Sequence, residues 1–278
     1  MLQATEIFMK FTVLMSLYYK ENAEYFEECL NSIKNQTVQA DEIAIVIDGP
    51  IGDNLHRVIN NWRACLPIRT LQLDKNVGLG QALNKGLAIC SHDLVFRMDT
   101  DDICYPDRFS LQLKAFEEND QLKLLGGHIE EYNERFDLLL GKRIVPIGNE
   151  AIRRRAIFKS PFNHMTVAFR KAAVQSVGGY QHHALMEDYN LWLRMIASNY
   201  FVDNLDAVLV KARTGESMLR RRNGLNYIAS EYKLFKLKRE LKLQSFIGSV
   251  SVFFMRSIPR LMPAAILKFI YKTKRELK

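Results

Sequence analysis

The chain has 278 residues, 48% of them hydrophobic and 25% charged, with a formal net charge of +8. That composition excludes a disordered, collagen-like or disulfide-stapled protein and fits one large domain, or one domain with a helical appendage. The four cysteines (Cys29, Cys65, Cys90, Cys104) lack CxxC spacing and fit a reduced interior; no N-terminal leader is expected, and no nucleic-acid-binding signature accompanies the basic charge.

In chain order, Phe11 to Met15 reads as a buried strand, and residues 22–35 place Phe26, Cys29, Leu30 and Ile33 on one helical face. Glu42 to Ile47 reads as a second strand, ending in Asp48-Gly49-Pro50. Leu55, Val58, Ile59 and Trp62 mark the next helix, residues 68–73 a third strand, 79–89 a helix and 94–98 a fourth strand. The alternation predicts an α/β fold with a parallel sheet, helices on both faces and ligands at the strands' carboxyl ends, where Asp48 and Asp99 fall. Asp99-Thr100-Asp101-Asp102 brings three carboxylates to one turn, before a helix expected to open at Pro106. Like charges packed this closely repel, so a hard divalent cation, Mn²⁺ or Mg²⁺, is one explanation; an acidic helix N-terminus is the other.

From about residue 120 the pattern becomes α+β. Residues 122–132 and 138–145 read as longer strands, 150–158 as a short basic helix, 167–169 as a strand, Gly178-Gly179-Tyr180 as a turn and 187–197 as a helix. From about residue 223 the chain is helical and basic. Residues 243–255 are apolar but too short to span a membrane. Ile258, Leu261, Met262, Ala265, Ile266 and Phe269 form an apolar stripe edged by Arg256, Arg260, Lys268, Lys272 and Lys274. An in-plane membrane helix is expected there, with packing on the chain's own domain or on a partner subunit as the alternative; Pro259 and Pro263 argue against one straight helix.

Several pieces recur in a telling order: Asp48-Gly49 after a strand, Asn76-Val77-Gly78 before a helix carrying Ala82, Asn84 and Gly86, the Asp99–Asp102 tetrad, Gly178-Gly179-Tyr180, and the run from Glu187 to Arg194. As an ordered set, over about residues 11–218, they resemble glycosyltransferase family 2, inverting enzymes of the GT-A fold. The resemblance implies a GT-A domain over residues 1–222, with a Rossmann-like, mostly parallel sheet. Its nucleotide-binding half would span about 10–120 and its acceptor half 121–222, followed by the basic tail at 223–278. It implies that Asp48 contacts the nucleotide base, that Asp99 binds the nucleoside side of the donor, that Asp101 with Asp99 holds the metal, and that Asp102 supports either; Asp48 before Gly49 also suits the cap of a turn on structural grounds alone. Asp188 would be the catalytic base, with Glu187 as its alternative, because a sugar hydroxyl is a poor nucleophile until a positioned carboxylate takes its proton; both residues also suit a helix N-terminus on structural grounds alone. His164 would lie beside acceptor and nucleotide, or be a structural histidine. Trp192 and Leu193 read as core beneath the base, and Tyr189 as acceptor pocket or packing. Arg213 and Arg221 would bond the donor diphosphate, or belong simply to a solvated basic face.

The implied activity is transfer of a hexose, galactose or glucose, from a UDP-sugar to a sugar such as N-acetylglucosamine on a polyprenyl diphosphate, in bacterial O-antigen or exopolysaccharide synthesis. The enzyme would be peripheral, on the cytoplasmic face of the inner membrane, held at the membrane surface by its tail. Other readings stay open: a sugar nucleotidyltransferase, for which Met15 to Tyr19 offers no glycine-rich loop, an aspartyl phosphatase, and a non-catalytic membrane-surface scaffold.

Overall fold

The structure, a computed structural model, describes residues 9–214 and 225–261. The first half alternates as expected: β1 (Phe11–Leu17), α1 (Ala23–Lys34), β2 (Glu42–Ile47), α2 (Asp53–Trp62), β3 (Ile68–Gln72), α3 (Leu79–Ile89) and β4 (Leu94–Arg97). After them come β5 (Ile103–Cys104), α4 (Arg108–Glu118), β6 (Leu122–Tyr132), β7 (Leu139–Arg143), α5 (Asn149–Phe158), β8 (Ala168–Arg170), α6 (Lys171–Ser176), α7 (Glu187–Ala197) and β9 (Phe201–Arg213). Two helices, α8 (Leu225–Glu240) and α9 (Phe246–Ser257), follow.

All nine described strands join one sheet in the order β3-β2-β1-β4-β8-β6-β9-β5, with β7 on β6. The first four strands pair in parallel, whereas β8 runs antiparallel to both β4 and β6. Strand alternation divides the core between the two faces. Val13, Met15 and Leu17 of β1 and Ile43, Ile45 and Ile47 of β2 meet α1, α2 and α4 on one face, while Leu14, Ala44 and Val46 meet α3 and α7 on the other.

Three features depart from expectation. Residues 201–213 form β9, a long strand that pairs in parallel with β6 and antiparallel with β5. Asp203, Asn204 and Asp206 obscure it in the sequence, since such residues are depleted in strands. The helix expected at Pro106 opens only at Arg108, because residues 103–106 are drawn into the sheet: the Tyr105 N–H donates to the Leu209 carbonyl (3.0 Å), and the Pro106 carbonyl accepts the Thr37 N–H (3.0 Å). The tail also packs on the domain, at least on one side. Arg256 donates to the Phe158 carbonyl (2.6 Å) and Lys238 to the Ile157 carbonyl (2.6 Å), while a bidentate Arg256–Glu231 pair (2.6 and 2.7 Å) joins the two tail helices to each other. The part of the predicted apolar stripe beyond residue 261 lies outside the described residues.

Candidate active site

The carboxyl ends of β2 and β4 lie two strands apart with β1 between them, and each delivers acidic residues to the same edge of the sheet. Asp48 is buried, and its two carboxylate oxygens accept the backbone N–H groups of Val77 (2.7 Å) and Gly78 (3.0 Å). Charge-assisted bonds of this kind contribute about 1.5–3 kcal/mol each, so Asp48 anchors the loop that opens α3. Gly49 completes the fit: its φ is +87°, and a Cβ there would stand 2.6 Å from the Asn76 nitrogen.

At the end of β4 the expected acidic turn is present, and it is organised by a residue the sequence reading passed over. Arg97 is almost fully buried, and its Nη2 lies 2.5 Å from Asp99 Oδ1. Burial would lower the Arg97 pKa, but the Asp99 carboxylate outweighs it and holds the guanidinium charged. A charged side chain in the apolar run from Leu94 to Met98 was the available signal, because an arginine is rarely interred without a partner. Burial, then repulsion from Asp99, pushes Asp101 up to about 6. Glu21, from the loop after β1, joins the cluster: burial and the charges of Asp101 and Asp99 raise it to about 7, and it bonds the Thr100 side chain. This fourth carboxylate was also missed.

Asp102 turns inward. It is buried, raised by burial and by its neighbours, and accepts the Arg213 backbone N–H (2.8 Å). The Arg213 side chain does not present itself to a diphosphate. Its Cζ lies 3.7 Å from the Tyr25 ring centroid and 4.0 Å from that of Phe136; its Nε donates to the Asp101 carbonyl (2.7 Å), and its terminal nitrogens bond the Glu134 carbonyl and Glu28. Arg213 is thus a clasp beneath the acidic turn. Arg221 lies outside the described residues.

The second wall is assembled by long-range clasps. The Asn84 side chain both donates to the Tyr180 carbonyl (2.7 Å) and accepts the Tyr180 N–H (2.8 Å), across 96 residues of chain. A Cβ on Gly179 would lie 2.5 Å from Asn84 Oδ1, so glycine permits this approach. Arg194 bonds the Gly179 carbonyl (2.5 Å), the Val177 carbonyl and Asn190, closing the same turn from the side of α7. Tyr180 Oη meets His164 Nε2 at 2.9 Å. Burial, aided by the Arg97 charge, drives the His164 pKa well down, so the imidazole is neutral.

Glu187 and Asp188 occupy the first turn of α7, both half-buried. Burial raises both; repulsion from Asp188 adds to it at Glu187, whereas backbone N–H donation and the charges of Arg143 and Arg97 oppose it at Asp188. A Cβ on Gly80 would be 3.5 Å from the Glu187 Cβ, which places the start of α3 against these carboxylates. Trp192 is fully buried beneath them, 6.0 Å from the His164 ring and 5.6 Å from that of Phe162. Tyr189 is packing: it is buried and donates to the Ala156 carbonyl (2.5 Å).

Among the described residues no three His, Cys, Asp or Glu side chains form a ready metal cage. The donor set nevertheless suits a hard cation that takes one or two carboxylates and fills its other positions from phosphates and water. Asp99 and Asp101 are the half-buried members of the turn, and a cation would relieve the repulsion that raises Asp101.

The chain is similar to known proteins. The family described as Glycosyl transferase family 2 matches residues 12–180. The amylovoran biosynthesis glycosyltransferase AmsE of Erwinia amylovora is 47% identical over 266 residues, 96% of this chain and 99% of that protein. The Escherichia coli UDP-Gal:alpha-D-GlcNAc-diphosphoundecaprenol beta-1,3-galactosyltransferase is 39% identical over 267 residues, 95% of each. In fold alone, the mannosyltransferase PcManGT from Pyrobaculum calidifontis, solved with GDP-Man and Mn²⁺, is similar with a TM-score of 0.62 at 16% identity, covering 95% of this chain and 79% of that one.

Proposed function

The chain belongs to glycosyltransferase family 2 and has the GT-A fold, and from that premise we propose that it transfers a hexose, galactose or glucose, from a UDP-sugar to a lipid-diphosphate-linked sugar such as N-acetylglucosamine. The donor and acceptor are those in the name of the 39% identical relative. The name of the 47% identical relative supports exopolysaccharide or O-antigen assembly as the setting. An acceptor of this kind is anchored in a bilayer, so the enzyme works as a peripheral protein at the cytoplasmic face of the membrane. No described helix is long and apolar enough to cross a membrane.

One observation carries the mechanistic reading. The buried Arg97 charge is paired with Asp99 at 2.5 Å and also acts on Asp188, which supports placing acidic turn and candidate base at one site. Asp188 takes the proton of the acceptor hydroxyl as that oxygen attacks the anomeric carbon. The nucleoside diphosphate departs from the opposite face, which inverts the configuration. Burial brings the Asp188 pKa upward, toward working pH, where a carboxylate is a better base. Glu187 is the second carboxylate available at that helix end. Neutral His164, held by Tyr180, lies beside the acceptor end of the donor. Asp48 and the loop it anchors border the nucleoside base, and Asp99 the rest of the nucleoside. Asp101 with Asp99 would hold Mn²⁺ or Mg²⁺; such an ion, when bound, offsets charge on the leaving diphosphate. Asp102 and Arg213 keep the turn in shape, and Arg221 keeps its sequence-based assignment to the diphosphate.

A transfer assay tests this directly. Purified protein is given a panel of UDP-sugars, a lipid-diphosphate N-acetylglucosamine acceptor and Mn²⁺, with and without chelator. Chelator-sensitive product from a single donor is the expected result. UDP binding without transfer would discard the acceptor assignment; neither binding nor transfer would return the non-catalytic scaffold.

A further inference from the structure

The helical hairpin of α8 and α9 has two unlike sides. Its inner side is bound to the catalytic domain by Arg256, which donates to the Phe158 carbonyl, and by Lys238, which donates to the Ile157 carbonyl, with Tyr227, Leu234 and Val252 buried, while the Arg256–Glu231 pair ties the two helices to each other. The outer side exposes Phe246, Ile247, Phe254 and Met255, each with between 54% and 78% of its surface open. Phe246 and Phe254 belong to a ring cluster with Tyr232, Phe235 and Phe253, whose neighbouring centroids lie 5.6 to 6.4 Å apart. Exposed cations frame this patch. Lys236 Nζ lies 4.8 Å from the Tyr232 ring and Arg239 5.8 Å from that of Phe246, and Lys233 and Lys242 are exposed on the same hairpin.

We propose that this aromatic and basic face of the hairpin is the surface on which the enzyme rests on an anionic lipid bilayer. Contiguous apolar surface of this kind marks an interaction site. Aromatic rings and aliphatic side chains edged by Lys and Arg suit the boundary between acyl chains and anionic headgroups. Charge decides against a second copy of the chain: a two-fold contact would set this face on itself and bring its cations together, whereas an anionic membrane complements them.

The hairpin also touches the loop that leads into the candidate base. The Ser230 hydroxyl donates to the Ala184 carbonyl (2.7 Å), and His183 Nε2 meets the Ser230 carbonyl at 2.8 Å. Met186, Glu187 and Asp188 follow directly. Seating the hairpin on lipid therefore sets the height of Asp188 above the bilayer. This consequence rests on the lipid-linked acceptor proposed above; the docking itself does not.

The test uses the full chain and vesicles of phosphatidylcholine, with or without phosphatidylglycerol. Two variants separate the contributions: Phe246→Asp with Ile247→Asp, and Lys236→Glu with Arg239→Glu. The unmodified protein sediments with phosphatidylglycerol vesicles and releases at high salt, and each double variant lowers the bound fraction at least tenfold. Both variants keep full transfer to a short-chain, water-soluble acceptor, which shows that they fold, yet lose transfer to acceptor embedded in vesicles. The proposal is overturned if the unmodified protein ignores anionic vesicles or if both variants bind as it does. It is also overturned if light scattering shows a dimer that the apolar variant dissociates. Absence of transfer to every acceptor would count against the proposed reaction while leaving the vesicle result readable.

Discussion

The two walls of the cleft are built by different means. The wall proposed to hold the donor, the donor wall, is made of strand ends: Asp48 follows β2, Asp99 to Asp102 follow β4, and each carboxylate lies within a few residues of a buried parallel strand. The wall proposed to face the acceptor is made of side chains that reach across the chain. Asn84 holds Tyr180 across 96 residues, and Arg194 holds Gly179. A wall of the first kind is positioned by the sheet, and each of its residues fails locally. A wall of the second kind is only as well placed as its clasps.

The largest effect is expected from the chemistry itself. Asp188→Asn should lower kcat by about 10²- to 10⁴-fold, the usual contribution of a positioned general base, with UDP affinity by calorimetry unchanged. Glu187→Gln should cost far less; the reverse ranking would reassign the base. Because the Asp188 pKa is raised, the rate should climb with pH along an acid limb lying above the ordinary aspartate range.

Breaking a clasp comes next. Asn84→Ala removes two hydrogen bonds and leaves the Tyr180 N–H and carbonyl unpaired. A loss of about 2–4 kcal/mol in denaturant unfolding is expected, with transfer to acceptor falling more than UDP binding. Gly49→Ala is its counterpart in the donor wall. It strains a positive φ and collides with Asn76, at a cost of about 1–3 kcal/mol, and should weaken UDP binding before acceptor transfer. If each variant impaired both functions equally, the distinction between the walls would fall.

A smaller effect should appear in stability against pH. The folded protein holds Asp101 near pKa 6 and Glu21 near 7, both above their ordinary values. Above their ordinary carboxylate values these two groups bind more protons in the folded state than in the unfolded one, so the stabilisation they contribute without metal is full below about pH 4 and is lost as pH rises through 6 to 7. Mn²⁺ should therefore raise the Tm more at pH 7.5 than at pH 5, by about 2–4 °C. Equal gains would remove the cation from the acidic turn. Trp192→Phe should be the mildest change. The indole nitrogen is buried without a partner among the described residues, so only packing is lost, at about 1–2 kcal/mol, and the donor wall should not register it.

The same division governs what could be read without the structure. The alternation of β1 through β4, the helix from Leu79 to Ile89 and the one from Glu187 to Ala197 were legible because apolar spacing of period two or near 3.6 reports which face of a local element is buried. β9 was not, since the acidic and amide residues at 203, 204 and 206 break that spacing and only the pairing with β6 pays it back. Arg97 and Glu21 escaped for a related reason. Their importance lies in the charges around them, which come from other strands and loops.

By itself, the sequence determined the family, the α/β order of the first half, the acidic turn and the pair of carboxylates at the head of α7, because each is written in neighbouring residues. Only the tertiary structure decided that Asp102 accepts from Arg213, that the loop Asp48 anchors is the one opening α3, and that the tail both grips the domain and shows an apolar face. Those outcomes depend on which groups meet across long stretches of chain, where burial and charge are set by partners that no local pattern names.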